Sequence, residues 1–167
     1  MSLRKLVIKL NKYALLIRNM TKNRLDSSFR DPSGYVFTKN GVVYRNINAS
    51  YKEHYNYLIE SGLYDSLVKD NMLIAHKEVT TEKGAYKTIK PIQIPHISYP
   101  YEWCFSQIKD AALLTLKIQK RALEFGMSLK DASIYNIQFL DGKPIFIDSL
   151  SFEYYKENEP WTAYRQF

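Results

Sequence analysis

The sequence predicts an α+β domain, with antiparallel hairpins and helices in separate stretches of chain. Two β-rich runs flank an Asn-Gly pair early in the chain, and two more flank an Asp-Gly pair late. A long helix-periodic segment stands between them, and no strand–helix–strand series indicates a parallel sheet.

With 167 residues, 46% of them apolar and 25% charged, the chain is long enough to bury a core and has the composition of an ordinary folded domain. Disorder would need fewer apolar residues and a larger net charge. The net charge of +7 suggests nucleic acid until it is located. Residues 1–25 hold Arg4, Lys5, Lys9, Lys12, Arg18, Lys22 and Arg24 and no acid; 24 bases less these 7 leaves 17 against 17 acids in residues 26–167. The basicity belongs to one segment, which argues against a general nucleic-acid surface.

That segment places Leu3, Leu6, Val7, Leu10, Ala14 and Ile17 at helical spacing, so an amphipathic helix is expected over residues 3–20. Packing on its own domain is the expected role, and contact with an acidic membrane surface is the alternative. Lys9, Asn11 and Lys12 interrupt its apolar stretches and no small-residue cleavage site follows, so no signal peptide is expected. No apolar run approaches the ~18 residues of a spanning helix. The single cysteine, Cys104, allows no internal disulfide and no zinc spacing, which fits a reducing, cytoplasmic setting.

Asp31-Pro32-Ser33-Gly34 reads as a loop. Tyr35–Thr38 and Val42–Ile47 form a hairpin around Asn40-Gly41, because the tight turn needs positive φ at its centre. Ser50 and Glu53 have the spacing of a capping box, opening a helix that Gly62 stops, with a short helical piece from Tyr64 to Lys69 after it. Met72–Val79 and Tyr86–Ile94 read as paired strands around Glu82-Lys83-Gly84, with Pro91 limiting the second. Pro95–Pro100 is an extended connector. A helix from Glu102 or Ser106 to Phe125 would bury Ile108, Ala111, Ala112, Thr115, Ile118 and Ala122. Ile137–Leu140 and Pro144–Ile147 form the second hairpin, and the polar and aromatic end of the chain, with Pro160 and Trp161, reads as an irregular tail.

Chemistry concentrates beside that hairpin. Asp131 stands five residues before Asn136, and Asp148 twelve after it, at the end of the apolar run Ile145-Phe146-Ile147. A carboxylate ending an apolar strand needs a partner or a cation. Phosphoryl transfer needs one carboxylate to take or orient the proton of the attacking hydroxyl. It also needs hard oxygen ligands, such as an amide and a second carboxylate, to hold magnesium across the phosphates. The structural alternative is that Asp131 caps a turn and Asn136 satisfies loop backbone.

This pattern resembles the catalytic loop and metal-binding aspartate of the protein kinase and aminoglycoside phosphotransferase superfamily. The resemblance spans roughly residues 34–155 and is strongest over 129–148. It implies a kinase-like two-lobed α+β fold, with a small antiparallel-sheet lobe over residues 26–97 and a truncated helical lobe over 98–167. It implies ATP and Mg2+ as cofactors, Asp131 as catalytic base, and Asn136 and Asp148 as metal ligands. Arg45 would stand near the phosphate-binding lysine, with Glu53 or Glu60 as its helix partner. Leu129, Ser133 and Ser149-Leu150 depart from the family pattern, and no glycine-rich phosphate loop is present.

Tyr99-Pro100-Tyr101-Glu102-Trp103 and Ser128–Phe152 also resemble the N-terminal part of larger bacterial proteins called SAM-dependent methyltransferases. That implies a C-terminal methyltransferase domain carrying SAM beyond this chain, since no glycine-rich strand-to-helix turn occurs within it. Two expectations follow: a nucleotide-binding phosphotransferase module acting on an unknown acceptor, or an inactive pseudokinase module that regulates or binds a partner. A basic-helix adaptor is a third. Tyr99, Tyr101 and Trp103 are expected to pack between the halves, and His54, His76 and His96 to be surface or packing residues.

Overall fold

The computed structural model describes residues 23–24 and 31–167. The helix expected over residues 3–20 lies outside them. The expected α+β architecture is present. Strands β1 (Asn23–Arg24), β2 (Gly34–Lys39), β3 (Val42–Ile47), β4 (His76–Val79) and β5 (Lys87–Pro91) form an antiparallel sheet in the order β1-β2-β3-β5-β4. Helices α1 (Lys52–Glu60) and α2 (Leu63–Lys69) separate β3 from β4, and α3 (Phe105–Glu124) follows β5. Two small antiparallel pairs complete the described strands: β6 (Met127–Leu129) with β9 (Phe152–Tyr154), and β7 (Ile137–Leu140) with β8 (Lys143–Phe146). No described helix is long and apolar enough to cross a membrane.

Both hairpins follow from their turns. Asn40 and Gly41 have φ of 54° and 76°, and Asp141 and Gly142 have 51° and 76°, the positive angles that match the twist of the flanking strands. Gly34, at the start of β2, is required for another reason: a Cβ there would lie 2.1 Å from the carbonyl oxygen of Asn46. The chain therefore approaches β3 more closely than any side chain allows.

Several boundaries differ from expectation. The strand expected from Met72 begins only at His76, because residues 72–74 turn toward β8: Ile74 N donates to Phe146 O at 2.8 Å and Phe146 N to Met72 O at 2.9 Å. Ser50 does not cap α1. Its hydroxyl donates to Pro32 O at 2.8 Å, the chain makes a 3-10 turn over Ala49–Tyr51, and the helix starts at Lys52. One strand pair was not expected at all: Phe152–Tyr154 pair with Met127–Leu129.

The larger core joins α1, α2 and α3 to β6–β9 through Leu58, Leu67, Ile118, Met127, Phe146 and Phe152. On α3 the buried face is Ala111, Leu114, Thr115, Ile118, Gln119 and Ala122; Ile108 is exposed. Each fully buried large apolar side chain contributes about 1.5–3 kcal/mol. A second core under the sheet contains Ile47, Tyr51, Tyr55, Ile89 and Leu150. Leu150 comes from the segment just after Asp148, so that segment is anchored in the sheet's own core.

Candidate functional site

The loop between β6 and β7 is held by its backbone on several sides. Gln119 of α3 accepts from Leu129 N at 2.8 Å, Trp161 Nε1 donates to Leu129 O at 2.8 Å, and Gln166 accepts from Ala132 N at 2.7 Å. Lys130 N donates to Ser151 O at 2.9 Å, tying the residue before Asp131 to the segment after Asp148. Asp131 itself is satisfied locally, its Oδ1 accepting from Ser133 N at 3.0 Å. That Asx turn is the structural role weighed from sequence, and it leaves the second carboxylate oxygen for other work.

Asn136 is joined to the Asp148 segment twice. Its carbonyl accepts from Ile147 N at 2.8 Å, and its Nδ2 lies 3.4 Å from Ser151 Oγ. Asp148 follows, mostly buried, with Oδ1 accepting from Leu150 N at 2.7 Å. Asp131, Asn136 and Asp148 are all partly open to solvent and sit on backbone segments bonded to one another.

Arg45, on the third strand, reaches this segment from the sheet. Its Nη1 is 2.7 Å from Asp148 Oδ1 and its Nη2 3.2 Å from Asp148 Oδ2, a two-pronged pairing across 103 positions of sequence. The same Nη2 is 2.8 Å from Asp31 Oδ2. With side-chain exposures of only 13% and 14%, Arg45 and Asp148 form a nearly buried pair whose separation would leave an uncompensated charge. Arg45 Nε is buried and has no hydrogen-bond partner among the described residues. Glu53 is exposed near the start of α1, and Arg45 pairs with the two aspartates.

Three neighbours were not singled out from sequence. Lys130 Nζ donates to Ser33 Oγ at 2.6 Å and lies 4.7 Å from the ring centre of Tyr51. Tyr51 exchanges hydrogen bonds with the backbone of Phe152. Burial, reinforced by the Asp148 charge, raises the phenol well above its ordinary pKa, so Tyr51 serves as a neutral strut. Asp31 belongs to a sequence that reads only as a turn, and no local signal reveals that it meets Arg45. His76 packs as expected, its Nε2 3.0 Å from the Tyr55 hydroxyl and its Nδ1 3.4 Å from Ser149 Oγ. Burial lowers its pKa to about 4.

The aromatic cluster splits. Trp103 is buried against Phe139 and donates to Ser98 Oγ at 2.9 Å, whereas Tyr101 is 77% exposed and stacks on the exposed Tyr99. Packing is therefore the role of Trp103 alone. A cavity of about 390 Å³ lies against β6 and β9, lined by Gln119, Ser128, Glu153, Tyr155 and Trp161 among others, and the three candidate site residues do not line it.

The donor set suits a hard cation. Among the described residues no three His, Cys, Asp or Glu side chains are grouped as metal ligands. The side-chain oxygens of Asn136 and Asp148 are of the hard type that magnesium takes, and those of Asp148 are held by Arg45 and Leu150 N.

No family model matches the chain. It is similar to Nodulation protein NoeA of Rhizobium meliloti (strain 1021), 31% identical over 150 residues covering 86% of this chain. The chain spans about a third of that relative's length, 31% of it.

Proposed function

We propose that this domain is a kinase-like module that binds a magnesium nucleotide where the sheet meets the β6–β9 segment. The observation that carries the reading is the Arg45–Asp148 pair. A cation on the third strand and a carboxylate after the hairpin converge from 103 residues apart, as phosphate-binding and metal-binding groups do in that superfamily. In this reading Arg45 binds phosphate, Asn136 and Asp148 supply oxygens for the metal, and Asp131 accepts the proton of an acceptor hydroxyl. Magnesium supplies neutralisation of the charge that develops on the transferring phosphoryl group. Tyr51 and Leu150 keep the Asp148 segment seated on the sheet.

A second reading is favoured by a specific observation. Arg45, the cation that would take phosphate, is already paired with both Asp31 and Asp148, which suits a pseudokinase module that regulates or binds a partner. Any methyl transfer using SAM would belong to further domains, and the exposed free Cys104 suits a reducing, cytoplasmic setting.

Thermal unfolding with ATP and magnesium tests the nucleotide reading. At 100 times the dissociation constant the ligand stabilises by about 2.7 kcal/mol, a gain that Asp148→Ala should abolish. No shift in the wild-type protein would remove the nucleotide from the account. Binding without ADP formation in the presence of candidate acceptors would favour the pseudokinase reading.

A further inference from the structure

Asp31 lies outside the roles just assigned, yet it occupies the cation they depend on. Its Oδ2 takes Arg45 Nη2 at 2.8 Å, while its Oδ1 accepts from Ser33 N at 2.8 Å. The turn that carries it is fastened to the start of α1, because Pro32 O accepts from Asn48 Nδ2 at 3.0 Å and from Ser50 Oγ at 2.8 Å. Asp148 and Arg45 are equally shielded, at 14% and 13% side-chain exposure, whereas Asp31 is 31% exposed. Asp148 therefore covers the inner side of the guanidinium and Asp31 the side nearer solvent.

Carboxylate and phosphate present the same recognition problem to a guanidinium: two anionic oxygens matched to a planar fork of donors. A phosphate chain reaching Arg45 from solvent thus meets a group already bound to a carboxylate of this chain. We propose that Asp31 is an internal anion holding the phosphate face of Arg45, and that an entering phosphate chain must displace it. Asp31 then sets the anion affinity and selectivity of the site. A singly charged carboxylate ligand offers Arg45 nothing that Asp31 does not, whereas a multiply charged phosphate chain does. Once displaced, Asp31 would be a like charge beside the phosphates, so it must turn outward, and its greater exposure permits that.

The exchange of Asp31 for phosphate depends on the Mg-nucleotide reading only for the identity of the anion. The test is calorimetric titration of wild type and Asp31→Asn with ATP plus magnesium, and separately with pyrophosphate alone. Asn keeps the oxygen that accepts from Ser33 N and removes the charge. Loss of a partly exposed ion pair should tighten both ligands about fivefold. Should Asp31→Asn fail to fold, Asp31→Ser removes the same charge and is read the same way. Tighter pyrophosphate binding with ATP ignored by both proteins would uphold the exchange and reject the nucleotide. ATP binding that is unchanged or weaker in the variant would overturn the exchange and leave the nucleotide reading standing. Absence of binding by both ligands to both proteins would reject the two together.

Discussion

Asp131 and Asp148 are held in opposite ways. Asp131 is satisfied two residues away, by Ser133 N, in a loop whose backbone is fastened on all sides. The Asp148 side chain has one local bond, to Leu150 N, and otherwise depends on Arg45, 103 positions away in sequence. The first can lose its charge with little consequence for the fold. The second joins the sheet to the segment that follows β8, so its charge is part of the architecture. A side chain that is structurally dispensable is free to do chemistry. One that is structurally committed must exchange partners in order to bind a ligand.

The largest effect should come from Arg45→Ala, which strands two carboxylates, one nearly buried. Urea unfolding at neutral pH should report a loss of about 4 kcal/mol, the range for breaking a buried ion pair from one side. A loss below about 1 kcal/mol would reduce the pair to a surface contact and erase the contrast.

Acid should come next. His76 touches Ser149, beside Asp148, and burial holds its pKa down to about 4 against an ordinary value of 6.5. Between those values the unfolded chain binds the proton and the folded chain does not, so stability rises with pH there. The contribution is complete above about pH 6.5 and is lost as pH falls through about 4, up to about 3 kcal/mol. Urea midpoints measured from pH 7.5 to 4.5 should fall in the wild type, and His76→Gln should flatten that part of the profile.

Asp148→Asn keeps the shape and removes the charge, and should cost about 2 kcal/mol, typical of a hydrogen bond to a charged group. The smallest effect should be that of Asp131→Asn. Asn can still accept from Ser133 N, so unfolding should shift by about 0.5 kcal/mol or less. Comparable losses for the two aspartates would break the comparison.

Much of the sheet was legible in the sequence because its devices are local. Asn40-Gly41 and Asp141-Gly142 name their turns, the periodicity of residues 105–124 names α3, and a carboxylate after Ile145-Phe146-Ile147 announces a partner. What was not legible is long-range. Met127–Leu129 is three residues long, and its partner Phe152–Tyr154 lies beyond a whole hairpin, so no periodicity reveals either strand. Ser50 and Glu53 have capping-box spacing, but Pro32 O takes the Ser50 hydroxyl from another loop. Asp31 sits in a run that turn chemistry explains fully, and only the folded chain brings it to Arg45. Asp131, Asn136 and Asp148 were legible as a pattern of residue types, whereas the preoccupation of Arg45 is a property of the fold alone.

The most direct measurement is a crystal structure of the protein grown with ATP and magnesium. An ion is expected about 2.0–2.1 Å from oxygens of both Asn136 and Asp148, with Arg45 turned from Asp31 to the phosphates. Nucleotide and metal bound away from these side chains, or Asp131, Asn136 and Asp148 facing different regions around an empty junction, would contradict it.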